Sequence, residues 1–579
     1  MRRLTVPTVA LLLGVSTLAT RTQAQAPRPG PVAAAPQLLV LLVVDQMRGD
    51  YIDKFQHQWS HGLRRLVTEG AWFRLAEYPY FNTVTCAGHA SIGTGSVPAI
   101  HGMILNGWWE RNTKKQVACT DDDTARTISY GKPIATEGES AVRLRTTTLA
   151  DELRAQLDTA PHITAFSLKA RSAVTLGGQR PDAVAWFDDD GAWVTSTAFS
   201  KGPVPEVADF IAHNPVEKDF GKVWDRALPK DAYLYEDPTV GLRPARGGMT
   251  PSFPHIVKGP EATPGKVFYD QWQSSPFADE YLARMGAAVN EALSRGKAAK
   301  HAVPQAGQGS SGSSLEPTGK RAVPNLLAMS FSSLDKVGHD YGPHSHEVQD
   351  ILVRLDRTLG ELFATLDRQV GPGNYTVALS ADHGVPPVPE RSLGLGIDAG
   401  RVSTQEIVSR AEKSLTASLG AGKHVSIFVH DYLYFEPGVV DQLRSHPEAL
   451  RMLLDDLPGV RGVVKAYWRD DLEANHFDAD PIGRRAAFSF DRDRSGDVMV
   501  VFKPYWIASN GTTSHGSGYS YDTHVPVLLM GKGIVPGEYL QPASPTDIAP
   551  TLAFLAGITL PRASGRVLAE ALERRVSRQ

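Results

Sequence analysis

At 579 residues the chain is long enough for one large catalytic domain with insertions, or for about two to four smaller domains. Its 42% hydrophobic and 21% charged residues are those of a soluble globular enzyme. A formal net charge of -3, without runs of like charge, argues against the basic face of a nucleic-acid binder and against charged tails.

The first residues carry export chemistry. Met1-Arg2-Arg3 is a short basic start, residues 4–18 are apolar but broken by Pro7 and Gly14, and Ala24-Gln25-Ala26 offers a small-residue cleavage site. Residues 1–26 are therefore expected to be a signal peptide, leaving a periplasmic or secreted protein with no membrane span after cleavage. After a Pro-, Ala- and Gln-rich lead-in, Gln37 to Val44 (QLLVLLVV) is a continuous apolar run, the pattern of a parallel strand buried on both faces, and Asp45 stands at its end.

Tyr80 to His89 (YFNTVTCAGH) leads into the small-residue stretch SIGTG, which places Thr85 at or just before a helix start. Free backbone N–H groups and the helix dipole favour an anion there. Taken alone, Thr85 reads as a helix cap, because a threonine hydroxyl is a poor nucleophile at neutral pH unless a metal binds it. Cys86 and Cys119 are the only cysteines. They can bridge in an oxidising compartment or be two small buried residues, and the sequence leaves both open. Cys86-Ala87-Gly88-His89-Ala90 lacks the arginine of a sulfatase Cys-x-Pro/Ala-x-Arg pattern.

Asn106, in the Gly-rich stretch HGMILNGWW, has an amide able to donate to a phosphoryl oxygen. The apolar run from Ile163 ends in Lys169 and Arg171; read as a strand end, positions two apart point the same way. Such a pair can clamp phosphate, arginine through two parallel bonds and lysine as a point charge.

Phe277 to Ser294 reads as a helix, and 301–320, with its GQGSSGSS tract, as a surface loop. Asn325 to Ser330 (NLLAMS) is a second buried strand. Asp335 and His339 follow it, four apart and on one face if the segment is helical. Val348 to Leu366 repeats apolar residues at three-four spacing, a helix. Tyr375 to Ser380 (YTVALS) is a strand followed by Asp382-His383. Residues 387–512 hold shorter alternating stretches, Val425 to Phe435 and Asp497 to Phe502, an α+β insertion. His515 then precedes the last apolar run, Val525 to Met530 (VPVLLM).

Strands alternating with helices predict an α/β fold with a mostly parallel central sheet flanked by helices. Residues 27–386 and 513–579 are expected to form the catalytic domain, with 387–512 inserted as a cap. Ligands of such sheets bind beyond the carboxyl ends of the strands, where Asp45, Asp335 and Asp382-His383 stand. Aspartate and histidine together suit zinc, and three protein ligands leave an open position. Two ions roughly 3.5–4 Å apart stabilise both the attacking and the leaving oxygen of an in-line displacement. Asp45, Asp382 and His383 make one set, and Asp335, His339 and His515 the other. Singly, each has an ordinary reading as a turn, cap or packing residue; all six in this order are hard to explain so. His89 reads as helix packing, and His344 and His346 as loop surface.

The segments VVDQMRGDY, YFNTVTCAGHASIGTGSVPAIHG, SLKARSAV, SFSSLDKVGHDYGPHSHEVQD, SADHGV, TTSHGSGYSYDTHVPVLL and DIAPTLAFLAGI occur in this order over nearly all the mature chain. Together they resemble the alkaline phosphatase superfamily, in particular its monomeric, threonine-nucleophile, phosphate-irrepressible (PafA-like) bacterial members. The resemblance implies two Zn2+ per chain, with Asp45, Thr85, Asp382 and His383 around one and Asp335, His339 and His515 around the other. It also implies that Asn106, Lys169 and Arg171 contact the phosphoryl group of small-molecule phosphate monoesters, hydrolysed through a phospho-Thr85 intermediate by a monomer.

The related nucleotide pyrophosphatase/phosphodiesterases keep the threonine and the asparagine but lack the cationic pair, and a dianionic monoester gains more from two cations than a monoanionic diester. A phosphodiesterase of the same superfamily is the alternative. A catalytically silent, zinc-stabilised binding module would be expected to have lost a ligand or the nucleophile, and here every motif position is filled. The one departure from the family pattern is the Gly/Ser-rich tract near residue 310.

Overall fold

The continuous apolar runs become the middle of one sheet. In the computed structural model, which describes residues 35–134, 136–301 and 323–573, its strands are β1 (Leu38–Val44), β2 (Ala71–Phe73), β3 (Asp121–Ser129), β4 (Glu137–Glu139), β5 (Ile163–Ser167), β6 (Ala183–Phe187), β7 (Trp193–Ser196), β8 (Asn325–Phe331), β9 (Tyr375–Ser380), β10 (Val527–Gly531) and β11 (Gly537–Tyr539). The expected signal peptide and the Gly/Ser-rich tract of the expected 301–320 loop lie outside the described residues.

The strands lie side by side in the order β11-β2-β10-β9-β1-β8-β5-β6-β7-β3-β4. From β9 to β6 neighbours are parallel, with Leu38 opposite both Asn325 and Tyr375. Every residue of β1 is buried, as a strand covered on both faces requires. This centre is the parallel sheet expected from the sequence, but the whole sheet is mixed. β10 runs antiparallel to β9, with Val527 opposite Ser380. The chain thus enters β10 at the carboxyl end of β9 and needs no helical crossover. On the other side β7, β3 and β4 continue antiparallel from β6.

The helices that carry or support the site are α1 (Thr85–Thr94), α2 (Ala170–Gly177), α3 (Pro276–His301), α4 (Ser333–Tyr341) and α5 (His346–Gln369). The three-four pattern from Val348 to Leu366 is α5, whose Ile351, Leu355, Leu359, Leu362 and Leu366 are buried. Its N-terminus is capped by Ser345 Oγ, which accepts from the Val348 N–H at 3.2 Å. α1 is buried at every position. Only glycine at position 88 permits this, since a Cβ there would lie 2.2 Å from the Asp382 backbone oxygen.

Between β9 and β10 a four-stranded antiparallel sheet forms from Val425–Val429, Tyr432–Phe435, Val498–Phe502 and Val463–Trp468, in that spatial order. It has an apolar core of its own, built on Ile407, Leu415, Leu433, Leu453, Val498 and Val500. Its first hairpin turns through His430 and Asp431.

Candidate metal centre and nucleophile

Strand ends position the acidic ligands. Asp45 follows β1 and Asp382-His383 follow β9, and all three are fully buried. Asp335 and His339 lie one turn apart on α4, with His339 Nε2 3.2 Å from Asp335 Oδ1. His515 comes from the loop before β10. Its Nδ1 is 2.9 Å from the Thr83 carbonyl oxygen, and its ring stacks on His383 with 3.5 Å between centroids. The structure brings the six residues together as two groups, Asp45/Asp382/His383 and Asp335/His339/His515, with ligand atoms in each within 4.8 Å of one another.

The donor chemistry fits two cations. Asp45 Oδ1, Asp382 Oδ2 and His383 Nε2 are buried without a hydrogen-bond partner, and His383 Nε2 lies 3.5 and 3.3 Å from those two oxygens. Lys169 engages only the other oxygen of Asp45 and the Gln46 N–H only the other oxygen of Asp382, and buried oxygens left without a partner are costly, so this set suits a further cation. Burial, then the Asp335 and Asp382 carboxylates, push the Asp45 carboxyl well above its usual range. Burial acts the same way on Asp382, but His383 and His89 hold it below the usual value. Burial also works against ionised Asp335, yet Lys169 and His339 keep it well below. Burial pulls both His383 and His515 down, for His515 together with the neighbouring His383 and His339. Neutral imidazole is the ligating form.

Thr85 is the first residue of α1, buried, after an extended Val84. Asn106 Oδ1 accepts from the Cys86 N–H at 2.8 Å, which leaves its NH2 group as the donor. Lys169 and Arg171 differ from their expected arrangement. β5 stops at Ser167, whose Oγ accepts the Lys169 N–H at 3.2 Å, so Lys169 caps α2 and Arg171 sits in its first turn. A strand-to-helix turn thus replaces the expected extended chain. Lys169 Nζ reaches inward, to Asp45 Oδ2 and, at 2.6 Å, to Asp335 Oδ2. Burial disfavours this ammonium, but the Asp335 and Asp45 carboxylates outweigh it and hold its pKa above the usual lysine value. Arg171 is half-buried, with its Nε buried and unpartnered. The cysteines, left open above, form the Cys86–Cys119 disulfide, which ties the residue after Thr85 to the chain beyond Asn106.

Two supporting residues escaped the sequence reading. Gln46 donates its side-chain amide to Asp335 Oδ1 at 2.7 Å and its backbone N–H to Asp382 Oδ1 at 3.1 Å. His89, read as packing, lies with Nδ1 2.9 Å from the Thr85 carbonyl oxygen and 3.2 Å from Asp382 Oδ2, and with Nε2 2.7 Å from Ser330 Oγ. Its signal was its place four residues after Thr85, on the same helix face. His346 is not loop surface: it opens α5, buried, with Nε2 2.7 Å from the Tyr235 carbonyl oxygen, because its neighbours Glu347 and Val348 turn into the core. His344 packs edge-on against the Tyr235 ring, 4.9 Å between centroids.

Residues 39–524 match the family described as type I phosphodiesterase / nucleotide pyrophosphatase. The chain belongs to this family, and it is an enzyme of the phosphoesterase class. Along nearly its whole length it is similar to alkaline phosphatase PafA of Elizabethkingia meningoseptica, 31% identical over 97% of this chain and 99% of the relative. It is also similar to alkaline phosphatase PhoV of Synechococcus elongatus, 29% identical over 93% and 94% of the two chains. The crystal structure of wild-type PafA matches with a TM-score of 0.81 at 29% identity, covering 94% of this chain and 100% of that one.

Proposed function

We propose that this protein is an alkaline phosphatase that hydrolyses phosphate monoesters through two successive displacements at Thr85. The observation that carries the reading is the meeting of two three-ligand sets beside one buried helix start, with a lysine, an arginine and an oriented asparagine close by. Two Zn2+ suit these donors, Asp45, Asp382 and His383 with Thr85 for one and Asp335, His339 and His515 for the other. When bound they supply Lewis acidity that makes the Thr85 hydroxyl acidic and offsets charge on the departing oxygen.

The chain's own groups do the rest. Thr85 Oγ1 attacks phosphorus in line with the departing oxygen, at a helix start whose dipole favours the anion. Asn106, Lys169 and Arg171 hold the equatorial oxygens, over which transition-state charge is spread. Water then opens phospho-Thr85 and phosphate leaves. Two cations favour a dianionic monoester over the diesters that the family description also covers.

Residues 27–386 and 513–579 act as the catalytic domain, capped by 387–512. The disulfide supports an oxidising setting, reached through a signal peptide at residues 1–26, and hence a periplasmic or secreted protein; the family resemblance is the ground for proposing a monomer. Among the described residues no helix is long and apolar enough to cross a membrane.

The test compares hydrolysis of p-nitrophenyl phosphate and bis-p-nitrophenyl phosphate at alkaline pH for wild type, Lys169→Ala and Arg171→Ala. A monoester preference that falls by roughly 10²–10³ in the variants supports the reading. A diester preference indifferent to them makes the protein a phosphodiesterase. Thr85→Ala should abolish a trapped phospho-enzyme.

A further inference from the structure

Asp335 and His339 share α4, but His515, the third member of their set, lies in a loop outside any helix or strand. What fixes that loop is a residue further on, in the short helix Ser520–Thr523. We infer that Asp522 is a positioning residue, whose side chain sets His515 and thereby the ion held by Asp335, His339 and His515. The inference rests on the metal assignment and the phosphatase reading above.

The contacts are direct. Asp522 Oδ2 accepts from the Gly516 N–H at 3.2 Å, from the Ser517 N–H at 2.8 Å and from Ser517 Oγ at 2.6 Å. Successive backbone N–H groups in a turn form a small concavity for an anion, and a carboxylate of the chain itself fills this one. Asp522 is buried, so deleting its carboxylate strands those donors. Gly516 has φ 126°, and a Cβ there would stand 2.6 Å from the His430 ring. The hairpin turn of the insertion is thus seated against the His515 loop. Held by Asp522 and confined by His430, the residue after His515 has little freedom, while His515 Nδ1 itself meets the Thr83 carbonyl oxygen at 2.9 Å.

Asp522 also reaches the other ligand set, but through its backbone. The Gly384 N–H, next after His383, donates to the Asp522 carbonyl oxygen at 2.8 Å. A side-chain substitution therefore breaks the link to His515 and spares the link beside His383. That selectivity has a chemical consequence. An in-line displacement puts the departing oxygen on the side of phosphorus away from Thr85, with the ligand set that does not include the nucleophile. A misplaced His515 then weakens stabilisation of the departing oxygen, which an alkoxide needs far more than a nitrophenolate.

The experiment compares wild type, Asp522→Ala, Asp522→Asn and Ser517→Ala, each loaded with Zn2+. Stepwise chelator competition measures the affinity for each ion, and kcat/KM is measured for ethyl phosphate and for p-nitrophenyl phosphate. Asp522→Ala should weaken one ion by about 10–100-fold, the range of groups that orient a ligand. The other ion should change by less than about 2-fold, since its ligands keep their contacts. The fall in kcat/KM should be at least about 10-fold greater for ethyl phosphate than for p-nitrophenyl phosphate. Asp522→Asn keeps an acceptor oxygen for the same donors and should recover part of both effects. Ser517→Ala removes a single donor and should show the same selectivity at smaller size, even where Asp522→Ala does not fold. Unchanged affinities, equal weakening of both ions, or equal losses on the two esters would overturn the inference and leave Asp522 a packing residue. Should wild type turn over neither ester, the phosphatase reading falls, while selective loss of one ion still upholds the positioning of His515.

Discussion

Gln46 and Gly338 are fitted to one another: a Cβ on Gly338 would stand 1.8 Å from the Gln46 side-chain oxygen. Gly338 lies on α4 between Asp335 and His339, and Gln46 follows Asp45 with a left-handed φ of 68°. One glutamine thereby holds a carboxylate of each ligand set, Asp335 through its side chain and Asp382 through its backbone. Outer groups of this kind typically contribute 10–100-fold to metal affinity. Gly338→Ala should displace Gln46 and weaken metal binding by about that factor, and Gln46→Ala should do so without the clash. Chelator competition reads both, and unchanged affinity in Gly338→Ala would sink the claim.

His89 joins α1 to the end of β9. Its ring bridges the Thr85 carbonyl oxygen, Asp382 and Ser330 from a fully buried position. His89→Ala should lower both kcat and metal occupancy, with roughly 10-fold or greater loss of affinity, and His89→Gln should restore part of each by returning a donor. Metal content after dialysis, set beside kcat, measures the two together. Full activity at full zinc content in His89→Ala would return the residue to plain packing.

The Cys86–Cys119 bridge closes a loop of 33 residues. A loop of that length restrains the unfolded chain by about 3–4 kcal/mol. Reduction, or Cys86→Ser with Cys119→Ser, should therefore lower stability by about that much in urea unfolding. The start of α1 loses its tether at the same time, so KM for a monoester should rise as well. Equal unfolding midpoints with and without reductant would contradict this.

His101 gives a stability signal with a definite sign. It is fully buried between Ser91 Oγ, 3.0 Å from Nε2, and the Met103 N–H, which donates to Nδ1 at 3.0 Å. Burial, with Arg494 nearby, pulls its pKa down to about 3. An unfolded imidazole titrates near 6.5, so below that pH the unfolded chain binds the extra proton. The contribution of neutral His101 is complete above about pH 6.5 and is lost as pH falls towards 3. Relative to His101→Gln, the wild type should lose about 2 kcal/mol between pH 6.5 and 5. Unfolding free energies of both proteins at the two pH values test it, and a constant difference would mean that His101 titrates normally.

How legible the site was depended on whether a residue's chemistry is local. Asp45 and Asp382-His383 announced themselves because an apolar run followed by a carboxylate marks a strand end in a parallel sheet. Asp335 and His339 did so because four-residue spacing is one helical turn. Gln46 had no such mark: an amide after a ligand is ordinary until two distant carboxylates are seen to rest on it. Lys169 and Arg171 were singled out but given the wrong backbone, since nothing in Phe166-Ser167-Leu168 shows where the strand stops and the helix begins. The direction of β10 was hidden for a related reason, because an apolar run is the same read parallel or antiparallel. His346 misled because a Pro-His-Ser-His stretch looks like exposed loop, whereas its neighbours in α5 carry it into the core.

The hairpin seated on the His515 loop also bears on how the molecule is made. Asp431 accepts from the Asn82 side chain across 349 residues of chain, and the His515 ring meets the Thr83 carbonyl oxygen across 432. Contacts so distant along the chain form late and slowly. Until those contacts form, one group of candidate ligands is unfinished and the segment before Thr85 has nothing to rest on. The candidate centre is complete only once the His515 loop has arrived, so its assembly is among the last steps of folding.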